Sequence, residues 1–437
     1  MSHRKFPLTV TAGVASLALL AAGCGGGDSD EGASSTSDAG GDTGGEAITL
    51  TVATFNEFGY EDLIEEYMEL NPSITVEQRK AATSNEAREK LSTGLAAGSG
   101  LADVEAVEVD WLPELMQFSD RFVDLTDPEL EGRWLDWKVG MATTPDGMLL
   151  GYGTDIGPEA ICYRADLFEA AGLPTDRDEV ADLMGSSWED YFAAGEQFAA
   201  GSDVPWFDSA GAIYQGMINQ VEAAYENPDD GEPIPLSENT TARAIYDQVL
   251  DAASSGLSAN LAQWSEDWTN AFQTDGFATM LCPAWMLGVI EGNAAGIEGW
   301  DIADTFPGGG GNWGGSYLTV PTQGANLEEA QKLAAWLTAP EQQIKAFIAK
   351  GTFPSQVEAL ESEEILTLTR EFFNDAPAGE IMASRAAAID VVPFKGPNYF
   401  AIQQFVSDAI NRVDVDQTDD ADSSWAKAEQ AYDEQIG

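Results

Sequence analysis

Tryptophan beside a carboxylate or an amide is the combination in this chain that could do chemistry, and it recurs. Asp110 is followed by Trp111, Trp206 stands two residues before Asp208, and Trp264 and Trp268 lie four apart around Glu266. Trp285 follows Pro283-Ala284, and Trp313 sits in a run with six glycines between Gly308 and Gly315. Both occupy backbone breaks, where a side chain can face a cleft. An indole offers a flat apolar plate, and an ionised acid accepts charge-assisted hydrogen bonds from hydroxyls. Together they suit a ring-shaped solute with C–H faces and a polar rim. Other readings stand beside this one. Trp264 and Trp268 could equally be a packed helix face, and Asn56 and Glu57, a further polar pair, could equally cap a helix. Trp336 in LAAWL reads as core, and Trp188 as a packed helix start.

Composition removes several kinds of chemistry. The single histidine is His3, inside a segment that reads as a removable leader, so the mature chain offers no Ser-His-Asp or Cys-His nucleophile and no His-ligated zinc. GGGG at 308–311 is not followed by Gly-Lys-Ser/Thr, so no phosphate cradle is read there. The net charge of -55 repels phosphate backbones and anionic lipids, which excludes nucleic-acid binding. It is read as a solvated acidic shell. Apart from Cys24, only Cys162 and Cys282 remain, too few for a four-thiolate metal site. They could form one disulfide or stay as two buried thiols. No metal and no cofactor are expected.

The elements that must position these residues follow in order. Residues 1–23 join His3-Arg4-Lys5 to the apolar run Leu8 to Ala22 and end in small residues before Cys24, the pattern of a signal peptide. LAAGC resembles a bacterial lipobox, with Ala21 in place of the usual leucine, and makes Cys24 the lipidated residue. Residues 24–47 are an acidic Gly/Ser tether with no side chain able to build a core. Strands are predicted at Ile48 to Val52, Ile74 to Glu77 and Val104 to Val109, separated by helices whose stripes include Leu63, Ile64 and Tyr67. That alternation argues for a parallel sheet with ligand-facing loops at the strand carboxyl ends, where Asn56, Glu57, Asp110 and Trp111 sit. Further helices are expected over Thr241 to Ser254, Trp264 to Thr274, Leu327 to Thr338, Pro340 to Lys350, Ser362 to Phe373, Tyr399 to Val413 and Ser423 to Gln435. Crossings between two lobes are placed at Asp155 to Pro158, at Phe306 to Pro321 and near Phe353.

TVATFNEFGYEDLIEEYMELNP, GLAAGSGLADVEAV, ICYRADLFEAAGLP, CPAWM, NWGGSYLTVP and KGTFPS, in this order and spacing, resemble the carbohydrate-binding lipoproteins of ABC importers, the maltose-binding-protein-like group of extracellular solute-binding proteins. The resemblance covers residues 48 to 437. It implies an α/β, two-lobed periplasmic-binding-protein-like fold, with discontinuous lobes over 48-155 and 306-352 and over 156-305 and 353-437, and a ligand cleft between them. It also implies a small-molecule carbohydrate ligand, a di- or oligosaccharide, and an ABC permease as membrane partner for a monomer anchored to the outer face of the cell membrane. Asp110 and Trp111 match the position of a sugar-binding acid and aromatic of the first lobe. Trp285 matches a stacking tryptophan of the second, and Tyr399 or Phe400 an aromatic near the C-terminal helices. The competing expectations are a secreted glycoside hydrolase, which needs two carboxylates set about 5 to 9 Å apart, and a receptor for an iron complex, a polyamine or another small solute.

Overall fold

Alternating apolar residues at Leu50 and Val52 bury one face of the first strand, and the computed structural model, which describes residues 47–437, builds the rest of the first sheet around it. The leader over 1–23, Cys24 and all of the tether except Ala47 lie outside the described residues. The strands are β1 (Ile48–Phe55), β2 (Ile74–Ala81), β3 (Val104–Glu108), β4 (Tyr152–Gly153), β5 (Asp155–Ile156), β6 (Glu159–Arg164), β7 (Thr279–Pro283), β8 (Trp300–Ala303), β9 (Ser316–Thr319) and β10 (Phe353–Pro354).

The first sheet has the order β2-β1-β3-β9-β4. β1 runs parallel to β2, with Ile48 opposite Ile74, and to β3, with Val52 opposite Val104. The helices that return the chain are amphipathic: Glu61–Leu70 buries Leu63, Ile64 and Tyr67, and Ser84–Ala97 buries Leu91. Their apolar stripes close one core with Val104, Leu318 and Leu333. The sheet is not wholly parallel as expected. β9 lies antiparallel to β3 and β4, because it belongs to a segment that returns from the other sheet rather than to a strand-helix-strand unit.

The second sheet, β7-β6-β8, is antiparallel throughout. Its alternation is legible residue by residue: Ile161, Tyr163 and Leu281 face one apolar cluster, while Ala160, Cys162, Met280 and Cys282 face another. Both faces are covered, so the strands are apolar on both sides. Cys162 and Cys282 share a face of neighbouring strands and are joined as a disulfide, with Cα atoms 5.4 Å apart.

Two helix expectations change. The predicted helix from Trp264 shortens to Glu266–Ala271, because Ser265 caps it, accepting from the Trp268 amide at 3.1 Å, and Trp264 has a left-handed φ of 72°. The predicted helix over Ser362 to Phe373 breaks into Glu363–Leu366 and a 3-10 turn, Glu371–Phe373, ended by left-handed Asn374 and Asp375. The helix Ala378–Ala387 was not anticipated.

The three predicted crossings lie side by side. β5 pairs with β10, Ile156 opposite Phe353. The Trp313 amide donates to the Gly157 carbonyl at 2.8 Å, and the Glu159 amide to that of Gly311 at 3.1 Å. A Cβ on Gly157 would stand 1.8 Å from the Trp313 carbonyl oxygen, so only glycine admits this approach.

Candidate functional site

A cavity of about 410 Å³ opens between the carboxyl ends of the parallel strands and the helices around the second sheet. Three strand ends reach it: Asn56 and Glu57 after β1, Ser84 and Asn85 after β2, Glu108 and Asp110 at the end of β3. Ligand-facing groups at such ends are what a parallel sheet provides, since its loops converge there. The Asn56 backbone is left-handed, with φ 47°, a conformation asparagine tolerates. Its Oδ1 is buried without a hydrogen-bond partner.

The opposite wall carries the aromatic plates. Trp264, 39% exposed, lies nearly parallel to Trp285 at 21° and 6.0 Å, and Trp313 meets Trp285 edge-on at 89° and 5.9 Å. The Trp285 indole N–H donates to the Trp313 carbonyl at 2.8 Å, which fixes the corner. Behind it, Asp208 Oδ2 accepts from Gln263 Nε2 and Trp268 Nε1, both at 2.8 Å, and so anchors the turn that presents Trp264.

Of the predicted residues, Asn56, Glu57, Asp110, Trp264, Trp285 and Trp313 line the cavity. Five do not, and each has a packing reason. Trp111 is buried in the first core and donates to Ser84 Oγ at 2.9 Å, supporting a lining residue from behind. Trp206 is buried among Phe168, Tyr191 and Phe198. Asp208 and Trp268 are the buried anchor just described. Tyr399 is fully buried against Tyr225, whereas the next residue, Phe400, lines the cavity.

That last shift exposes a set of which sequence reasoning named only Phe400. The helix Tyr399–Asp414 puts Phe400, Gln403, Gln404, Ser407 and Asn411 on the cavity, while Tyr399, Ile402, Val406 and Ala409 enter the core. The lining residues recur at three- and four-residue spacing, one stripe of a helix, and one step along the chain turns a side chain about 100° away from it. The polar stripe opposite the apolar one was the available signal.

The carboxylates of the lining are held in different states. Burial raises Glu57, but Lys80 at 2.5 Å and Lys350 at 3.2 Å outweigh it and leave its pKa below the usual carboxylate value. Burial, reinforced by repulsion from Asp110, pushes Glu108 well above the usual range. Asp155 is raised by burial, although Lys138 opposes the shift. Asp110 is paired with Lys395, a buried lysine that precedes the helix bearing Phe400. Among the described residues no group of three or more His, Cys, Asp or Glu is arranged to hold a metal ion.

Three comparisons bear on this arrangement. A protein family described as bacterial extracellular solute-binding protein matches residues 62–370. A crystal structure described as an extracellular solute-binding protein family 1 is 51% identical, covers 89% of this chain and 99% of its own, and superposes with a TM-score of 0.78. The ABC transporter associated binding protein from B. animalis subsp. lactis Bl-04, in complex with beta-1,6-galactobiose, is 19% identical over 88% of this chain and 96% of its own, with a TM-score of 0.75. T. maritima MalE3, bound to maltose, is 16% identical over 89% and 100%, with a TM-score of 0.70. No curated protein matches the chain. The fold is therefore that of the two-lobed binding proteins.

Proposed function

Because the chain belongs to the bacterial extracellular solute-binding proteins, we propose that it captures a sugar between two lobes and delivers it to a membrane permease. The observation that carries the sugar assignment is the corner of Trp264, Trp285 and Trp313 facing Asn56, Asp110 and a stripe of amides. Indole faces stack on the C–H faces of a pyranose, and amides and carboxylates take up its rim of hydroxyls. The size supports the same reading, since 410 Å³ falls among small-molecule sites of about 300–1,000 Å³. Two proteins of the same fold hold disaccharides.

We assign residues 48-155 and 306-352 to one lobe and 156-305 and 353-437 to the other, the crossings at Gly157, Trp313 and Phe353 being the hinge. Capture is then a ligand-driven shift between open and closed arrangements of the lobes. Binding is read as non-catalytic, because the family that matches the chain and the similar solved structure are described as solute-binding proteins. The mature chain acts as a monomer tethered through a lipid on Cys24, and the mass of its N-terminal peptide tests that attachment.

Titration of intrinsic tryptophan fluorescence with maltose, β-1,6-galactobiose and longer oligosaccharides tests the assignment. A saturable change and a thermal shift with at least one of them are expected, without release of reducing sugar. Silence across a broad panel of neutral and charged glycans overturns it.

A further inference from the structure

The cavity holds an unusual balance of charge. Among the described residues its lining carries four carboxylates, Glu57, Glu108, Asp110 and Asp155, and no lysine, arginine or histidine. The cations that answer these acids are not themselves lining residues. Lys80 and Lys350 hold Glu57, and Lys395 holds Asp110. Lys138 is buried, with its ammonium 4.0 Å over the Tyr317 ring and close to Asp155. Asp155 Oδ1 is further occupied by the Thr154 hydroxyl at 2.6 Å and the Ser316 amide at 3.0 Å. Glu108 accepts from the Asp110 amide at 2.9 Å, and its burial favours the protonated, uncharged form.

A ligand entering this space meets acceptors and amides. An anionic group on the ligand finds no donor cation on the lining and would be desolvated against carboxylate oxygens. Glu57 and Asp110 form salt bridges with lysine, whereas Glu108 and Asp155 form none among the described residues, so the lining discriminates against anions and not against cations. The uncharged lining groups are the ones left to read the ligand: the unpartnered Asn56 Oδ1, and Gln404, Ser407 and Asn411 on the helix Tyr399–Asp414.

Resting on the sugar reading above, we propose that the site selects uncharged glycans over anionic ones, and that a lining which carries carboxylates but none of the lysines around them makes it reject uronates and sulfated, phosphorylated or sialylated sugars. The rejection belongs to the lining, not to the net charge of the whole chain.

The test is an array of neutral and acidic oligosaccharides of matched length, probed with the full mature protein in 0.15 M and 1 M NaCl, with calorimetry on the strongest hits. Neutral sugars are expected to lead, and their acidic counterparts to bind at least about 30-fold more weakly, the scale set by an unpaired charge in a desolvated site. That gap should persist in 1 M salt, because a field from distant surface charge is screened there and a cavity lining is not. Acidic glycans binding as tightly as neutral ones would overturn the charge assignment and leave the sugar reading standing. A gap that vanishes in 1 M salt would also overturn it, by moving the cause to the bulk charge. An array silent for every glycan class would overturn the sugar reading and this inference together. A gain of acidic-sugar binding on placing a cation in the lining by Gln404→Lys, with neutral-sugar binding reduced, is the expected companion result, and no gain counts against it.

Discussion

Lys395 donates to Asp110, so a single buried ion pair joins the loop before the helix Tyr399–Asp414 to the end of β3, across one side of the cavity. Both partners are 8% exposed, and the Lys395 ammonium also lies 4.9 Å from the centre of the Tyr399 ring. Arg88 makes a second link of this kind, stacking over Phe400 at 4.4 Å while bonding Glu114 at 2.6 Å.

Removing one member of the buried pair leaves the other charged and unsatisfied. Lys395→Met is expected to destabilise the protein by about 3–5 kcal/mol, and Lys395→Met with Asp110→Asn by less than the single change. Urea denaturation of the two variants and the parent checks the order. A single variant as stable as the parent would remove the pair from any structural role.

The tryptophans divide into two groups that mutation separates. Trp285→Ala is expected to weaken sugar binding by about 1–3 kcal/mol and leave the denaturation midpoint nearly unchanged. Trp206→Ala, which empties a buried cluster, is expected to cost about 3–5 kcal/mol of stability. Parallel calorimetry and denaturation of both variants is the check, and the reverse pattern would exchange their roles.

The bridge between Cys162 and Cys282 closes a separation of 120 residues. In the chain-entropy account such a loop contributes about 4–5 kcal/mol by restricting the unfolded chain. Thiol titration of the unfolded, unreduced protein should find neither cysteine free, and the Cys162→Ala, Cys282→Ala variant should unfold at markedly lower denaturant.

Glu105 supplies a pH dependence with a defined sign. Burial raises its carboxyl from 4.5 to about 7, partly opposed by the Ala102 amide, which donates to it at 2.6 Å. Between those values the folded chain holds a proton that the unfolded chain has released. The contribution is therefore most favourable below about pH 4.5, declines as pH rises, and levels off above about 7. The full loss is at most about 3 kcal/mol. Glu105→Gln keeps the acceptor for Ala102 and should flatten the fall in stability between pH 5 and pH 8. An unchanged slope would assign that fall to other groups, Asp208 among them, which burial raises to about 6.

Gly157→Ala tests the hinge. The added methyl would meet the backbone of Trp313, which cannot swing aside as a side chain can. A loss of about 1–3 kcal/mol is expected, together with weaker sugar binding, because Trp313 is displaced. Unchanged affinity would separate the crossing from the site.

Local pattern carried much of this protein. The alternation of Leu50 and Val52, the stripe Leu63, Ile64 and Tyr67, and the capping box at Ser187 and Asp190 each express a periodicity or a hydrogen bond between near neighbours. The same locality marked Asn56, Glu57 and Asp110 as loop residues at strand ends, and Trp285 and Trp313 as residues at backbone breaks. Asp110-Trp111 shows where locality stops. Adjacent residues at the end of β3 point to different places, Asp110 to the cavity and Trp111 into the core.

What the sequence by itself determined was the kind of element at most positions and the chemistry excluded by its composition. A chain whose one histidine is His3 offers no histidine within residues 47–437 for a nucleophile, whatever its fold. What only the tertiary structure decided was which polar and aromatic groups share one space. Gln404, Ser407 and Asn411 become lining residues, and Trp206, Trp268 and Tyr399 become core, because helix rotation and lobe packing set the direction of each side chain. The charge of the cavity was decided in the same way. The four acids and four lysines around it are scattered from Glu57 to Lys395, and they meet only in the folded chain: β1 beside β2 brings Glu57 to Lys80, and the loop before the helix Tyr399–Asp414 brings Lys395 to Asp110.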